Sequence, residues 1–314
     1  MALIRKLPIA PSINFIGHRK IFLAISGALV LTSIFLLVSV GLNLGIDFRG
    51  GILIEVRTNG PADLASMRAR LGSLGLGEVT LQEFGADDEV LINVQRQEGE
   101  EAAQNAAVAA VKESLGTTVV EYRRTEFVGP KVGGELKEAG IWATVLALLG
   151  IALYVWFRFE WQFAVAALLA LVHDVVGMIG FFAVTQLEFN LATLAAVLAV
   201  AGYSINDTVV IFDRVRESLR KYKKMPLLEL LNMSVNQTLT RTLLTSFTTL
   251  LALLALAIFG GAVIRGFSTS LIWGILIGTF SSVGLAVPLL TFMGLRRTVS
   301  DEDPGKIKAP EKAS

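Results

Sequence analysis

Six apolar stretches, at 21–42, 141–157, 163–185, 191–212, 239–259 and 267–294, leave this chain few ways to fold. A helix needs roughly 20 apolar residues to cross a bilayer. Inside the hydrocarbon every backbone polar group must also be satisfied within the segment, so runs of this length predict six membrane-spanning helices. Composition agrees, with 53% hydrophobic and 18% charged residues and a mean hydropathy of +0.62. The first run is too long for a cleaved leader and has no small-residue cleavage site before Asn43, so it reads as a retained helix. The fold class is a polytopic α-helical membrane protein.

The distribution of charge orients it. Arg5, Lys6, Arg19 and Lys20 precede the first run; Arg214, Arg216, Arg220, Lys221, Lys223 and Lys224 follow the fourth; Arg296 and Arg297 follow the sixth. Under the positive-inside rule all three groups are cytoplasmic. This assigns residues 1–20, a basic loop at 213–237 and the tail at 295–314 to the cytoplasm. Residues 43–138 fall on the other side, before helices two to six over 139–294. Within that segment, 47–138 carries 10 Lys and Arg against 16 Asp and Glu, a net of −6. The chain has no cysteine, which fits either redox compartment.

The outer segment alternates like a strand at Ile52, Ile54 and Val56, then shows helical spacing at Leu64, Met67 and Leu71 after Pro61. Val79 and Leu81, then Val90, Ile92 and Val94, read as two strands about a turn at 85–88. An Ala-rich helix at 100–115 and a strand at 117–127 follow. The order β-α-β-β-α-β predicts a ferredoxin-like α+β domain between helices one and two. It holds no histidine, cysteine or nucleophile beside a base, which suits a binding or lever domain, or a spacer.

Three ionisable side chains fall within the spans: Asp174, Asp207 and Arg241. A charge in a membrane helix is costly and is by default a functional-site hypothesis. At ~1.5 Å per residue, Asp207 lies roughly 8 to 10 Å from the centre of its run and Arg241 about 12 Å from its own. Both are on the cytoplasmic side, so a salt bridge is geometrically allowed. Thr238, Arg241, Thr245, Thr248 and Thr249 share one face of the fifth helix, and Asn206 extends the polar set beside Asp207. Two plainer readings stay open: the threonines bond their own backbone, and the arginine snorkels to the interface. If the charges pair, protonating Asp207 releases Arg241, a two-state switch. One charge moved through 100 mV is worth ~2.3 kcal/mol.

His173 and Asp174 are adjacent and project about 100° apart, which argues against a shared metal site and for an interior polar cluster. Asp174 is either a packing group or part of the proton path. Gly274, Gly278 and Ser282 recur every four residues, the close-packing pattern of membrane helices, and Pro288 predicts a bend. Phosphate loops, nucleophilic triads and metal-ligand clusters are absent from the sequence. No enzyme activity, cofactor, metal or nucleic-acid partner is expected.

Local strings extend this reading. Gly45-Ile46-Asp47-Phe48-Arg49-Gly50-Gly51, Val128-Gly129-Pro130-Lys131-Val132-Gly133-Gly134-Glu135-Leu136 and Gly202-Tyr203-Ser204-Ile205-Asn206-Asp207-Thr208-Val209-Val210 resemble motifs of the SecF family, as do 213–217, 236–242 and 260–267. SecF is the smaller of the paired bacterial SecD and SecF translocase subunits, and the likeness runs over about 14–297. The resemblance implies an accessory subunit in the bacterial cytoplasmic membrane, working with SecD beside the SecYEG channel. There it would use the proton motive force to promote movement of exported preproteins. It also implies a fold like half of a resistance-nodulation-division transporter, and it lays the family's essential carboxylate and arginine on Asp207 and Arg241. The glycines of 45–51 and 128–136 would let the backbone turn at the domain junctions, and the topogenic role of the basic loop accounts for its charge. Alternatives are half of a proton-driven small-molecule exporter, or a passive assembly scaffold in which Asp207 and Arg241 lock helices together.

Overall fold

The computed structural model describes residues 12–83, 85–99 and 101–295; Arg5, Lys6, Arg296 and Arg297 lie outside them. Six helices are long and apolar enough to cross a membrane, one at each of the six apolar runs. In chain order come α1 (Arg19–Ser39), a single helical turn α2 (Ile46–Arg49), β1 (Gly51–Thr58), α3 (Leu64–Gly72), β2 (Val79–Glu83), β3 (Glu89–Val94), α4 (Glu101–Leu115) and β4 (Val119–Val128). Then follow α5 (Pro130–Arg158), α6 (Trp161–Thr185), α7 (Leu191–Lys221), α8 (Leu227–Phe259), α9 (Gly261–Ser281) and α10 (Val287–Leu290).

The strands form one antiparallel sheet in the order β2-β3-β1-β4. Central β1 sets Ile54 opposite both Ile92 and Thr125. One face of the sheet buries Ile52, Ile54, Val56 and Ile92 under Met67, Leu71, Val111 and Leu115 of α3 and α4. The chain enters β1 through Gly50 and Gly51, both at positive φ. A Cβ at Gly51 would stand 2.7 Å from the Val94 carbonyl oxygen, so the second glycine is required by space as well as by backbone conformation.

The helices outrun their apolar cores. Residues 213–237, expected as a loop, are helical except at 222–226. Likewise α5 begins at Pro130, with proline in the first turn where its missing N–H is harmless, rather than near 139. The early part of α8 is amphipathic, and Leu230, Leu231, Ser234 and Val235 are buried. Ser234 donates to Ser218 of α7 at 3.0 Å. Asn232 and Asn236 bind the segment that leads into α1, with Ile13 N donating to Asn236 Oδ1 at 2.9 Å and Ile16 N to Asn232 Oδ1 at 3.1 Å. A search for continuous apolar residues is blind to such ends, because only one face is buried.

Small residues set the helix spacing. A Cβ on Gly274 would collide with Val200 and one on Gly278 would press Ser204 at 3.0 Å, so α9 meets α7 at close range. Where a bend is expected, Pro288 lies in the first turn of α10, directly after a π-helical turn at Ser282–Ala286 that interrupts the regular helix. On α6, a Cβ at Gly180 would lie 2.9 Å from the Ser33 Cα of α1, a backbone atom that cannot swing aside. Gly180→Ala should therefore part α1 from α6 and cost about 1–3 kcal/mol, read as a lower unfolding temperature in detergent. An unchanged temperature would show the approach to be unimportant.

Candidate functional site

Successive turns of α7 bring Ser204, Asp207 and Thr208 to one inward face, where all are buried, Asp207 at 3% exposure. Asp207 lies 16 residues from the start of α7 at Leu191, and Arg241 lies 18 residues from the end of α8 at Phe259. At ~1.5 Å per residue these are depths of about 24 and 27 Å from the same end of the bundle. The two charges are level, as expected, but both are mid-helix because α8 starts well before its apolar core.

They do not form an ion pair within this chain. No Arg241 nitrogen comes within 4.0 Å of an Asp207 oxygen, although the field of Arg241 reaches Asp207. Asp207 Oδ2 is buried without a hydrogen-bond partner, and the same holds for the Tyr203 hydroxyl and Thr242 Oγ1. Buried polar atoms are normally partnered; among the described residues His173 Nε2, Gln162 Oε1 and two serine hydroxyls are also without a partner, and Asp207 Oδ2 is set apart from them as the one carboxylate oxygen.

Arg241 is exposed on the chain's flank, and so are Asn206 and Thr248. The threonine stripe divides: Thr238 is buried, Thr245 and Thr249 half-buried. Each hydroxyl donates to its own helix: Thr238 to the Ser234 carbonyl at 3.1 Å, Thr245 to Thr242 at 2.9 Å, Thr248 to Leu244 at 3.0 Å and Thr249 to Thr245 at 2.9 Å. The plainer reading of the stripe holds within this chain.

Asp174 has the opposite character. It is fully buried on α6. Its Oδ2 accepts from Ser204 of α7 at 2.5 Å and from Ser281 of α9 at 2.7 Å, and His173 Nδ1 lies 2.9 Å from Oδ1. Thr208 and Ser282 continue the chain of hydroxyls, 2.8 Å apart. The sequence pattern gives no role to Ser204, Thr208 or Ser281, and Ser282, expected as a packing residue, is a polar link as well. Two adjacent serines in an apolar run, and hydroxyls at i−3 and i+1 of Asp207, were the available signals. Among the described residues no cluster of His, Cys, Asp and Glu has the makings of a metal site. Removing the Ser281 hydroxyl should leave an Asp174 oxygen short of a donor; Ser281→Ala is expected to cost about 1–3 kcal/mol of thermal stability, and Thr291→Ala, whose hydroxyl bonds only its own helix, much less.

The end of the bundle next to the sheet holds a further unpredicted carboxylate. Gly45 N donates to the Phe189 carbonyl at 3.0 Å and Phe189 N to Asn43 at 2.7 Å, clasping the entry to the sheet domain against the α6–α7 turn. Asp47 Oδ2 accepts from Leu191 N at 2.9 Å, capping α7. Glu188 sits against Gly45. Burial holds its carboxyl above the usual range, helped by the like charge of Asp47 and opposed by hydrogen bonds from Asn93 and Asn190. A raised folded-state pKa means that the stability Glu188 contributes is present at low pH and lost as pH rises through that pKa. Hydrogen exchange at 43–51, corrected for intrinsic rates, should accelerate with rising pH, and Glu188→Gln should flatten that response; an unaltered profile in the variant would exclude Glu188 as its source.

The model of the protein export membrane protein SecD/SecF C-terminal family matches residues 107–296, and that of the SecD/SecF GG motif matches 35–62. The protein translocase subunits SecF of Rickettsia felis and Rickettsia rickettsii are each 46% identical over 297 residues, covering 94% of this chain and 96% of theirs. The crystal structure of SecDF, a translocon-associated membrane protein from Thermus thermophilus, matches with a TM-score of 0.84 at 33% identity, over 92% of this chain and 40% of that one. A SecDF in a super-membrane-facing form matches at 0.67, with 34% identity over 90% of this chain and 39% of its own.

Proposed function

The chain belongs to the SecF family, multi-pass membrane subunits of Sec-associated protein translocation, and on that premise we propose that it couples proton movement to export as the partner of SecD. The observation that carries this reading is Asp207, buried in a membrane span with an oxygen unpartnered and level with an arginine it does not touch. Ionised, the carboxylate draws Arg241 inward; protonated, it lets it go. The driving force is ~2.3 kcal/mol per charge for each 100 mV of membrane potential.

Displacement then has a route. Ser204 of α7 donates to Asp174 of α6, which also accepts from Ser281 of α9, and Thr208 of α7 meets Ser282 in the turn that follows α9. The first residue of α7 is held by Asp47 beside the clasp at Gly45. A shift of α7 is thus passed to the sheet domain, which we read as ferredoxin-like from its element order and its strand order. The net charge of −6 over 47–138 and the basic residues of 213–237 support placing that domain outside the cytoplasmic membrane, with both termini inside. There it meets preproteins leaving the SecYEG channel and acts as a lever, with no catalytic step. That one solved SecDF is described as super-membrane-facing and matches less well than the other supports such motion.

SecD completes the site. Asn206, Arg241 and Thr248 are polar groups on an exposed flank at membrane depth, where lipid offers no hydrogen bonds. The chain covers 40% of the SecDF polypeptide it matches, which leaves room for a second half against that flank. A passive scaffold would need Asp207 and Arg241 locked together, and within this chain they are apart. In membrane vesicles carrying both subunits, Asp207→Asn should abolish at least about nine-tenths of the gradient-dependent increment in translocation of a secretory precursor, at equal assembly. An undiminished increment would return Asp207 to a structural role.

A further inference from the structure

The far end of the bundle from the sheet domain gathers cations that the sequence keeps apart. Arg158, ending α5, and Arg216, Arg220 and Lys221, in the last turns of α7, line one hollow of about 610 Å³ with Asp213 and Glu217. Part of this set is fixed in place. Arg158 Nη2 donates to Asp213 Oδ1 at 2.7 Å, and Arg216 Nη1 donates to the Arg158 carbonyl at 3.2 Å. Glu217 is engaged from outside the hollow by Arg214, at 2.6 Å. The carboxylates are thus occupied while positive charge remains: Arg220 has no ion pair or hydrogen bond among the described residues, and Arg216 meets only a neutral carbonyl. The Lys221 ammonium stands 5.2 Å from the Tyr222 ring centroid.

The surroundings identify what this charge faces. Arg158 closes a membrane-spanning helix, and next to it Trp156, Phe157 and Trp161 are 61%, 86% and 57% exposed. Aromatic rings beside cations at the end of a span mark the headgroup level of a bilayer, where a phosphate lies among the cations and acyl chains run down the rings. A soluble anion would use the charge but make no contact with the rings. We propose that this hollow binds the headgroup phosphate of an anionic phospholipid, with its acyl chains along the Trp156 and Phe157 face of α5.

A purely topogenic role needs only a count of charges, whereas a binding site needs these residues in this arrangement. Arginine forks bind phosphate in a geometry that lysine cannot copy, which separates the two. The full chain would be extracted from vesicles of equal phosphatidylglycerol and phosphatidylcholine, and the retained lipid measured by native mass spectrometry. Wild type should retain phosphatidylglycerol selectively. R216Q/R220Q should lower that retention about tenfold, as expected for one or two lost charge-assisted hydrogen bonds. K223Q/K224Q removes the same charge from outside this hollow and should leave retention unchanged. R216K/R220K preserves the charge and the orientation signal, and should still lose several-fold; it carries the test if the glutamine pair fails to assemble. Equal loss in the R216Q/R220Q and K223Q/K224Q pairs, full retention in R216K/R220K, or equal binding of both lipids would overturn the proposal. Displacement of the lipid by inorganic phosphate would overturn it too, in favour of a soluble anion site.

Discussion

A carboxylate inside a membrane bundle must either be satisfied by hydrogen bonds or be free to change its charge, and the two buried aspartates of this chain divide those alternatives. Asp174 is satisfied: a histidine and two serines from three helices converge on it. It is the polar hub that ties α6, α7 and α9 together. Asp207, on α7 one turn beyond the Ser204 that donates to Asp174, has a buried oxygen with no donor. The rest of the arrangement depends on that inequality, because a switch needs a fixed frame as much as a movable charge.

The frame reaches beyond the membrane through backbone hydrogen bonds and through aromatic packing, with Phe48 of α2 stacked on Phe189 at 5.8 Å between ring centroids. The clasp between 43–45 and Phe189 and the cap that Asp47 places on α7 use N–H and carbonyl groups that would otherwise face water. Such contacts are directional, so they fix the orientation of the joint as well as its position. Glu188 stands in the same joint, which exposes the clasp itself to the acidity of its surroundings.

Features governed by one-dimensional pattern were legible in the sequence. Continuous apolarity revealed the six spans, period-two alternation the strands of the outer domain, and residue counting the shared depth of Asp207 and Arg241. Features that arise only when helices approach one another were not. Ser204 reaches Asp174 because Gly278 lets α9 come close on its other side, and no spacing along α7 announces that. The first turns of α8 bury one face only, so continuous apolarity does not reveal them. The threonines after Arg241 share a face yet donate inward to their own carbonyls, which a helical wheel does not distinguish from a shared network. Arg158 joins Arg216 and Arg220 only because α5 and α7 end side by side.

The most direct test concerns the charge state of Asp207 itself, apart from any transport assay. Isotope-edited infrared spectroscopy of the chain with its SecD partner in bilayers would follow the carboxylic-acid carbonyl band across pH. A band that appears and disappears with pH, vanishes in Asp207→Asn and shifts in Arg241→Gln is the predicted result. A spectrum in which Asp207 keeps one protonation state throughout, with or without Arg241, would contradict the account.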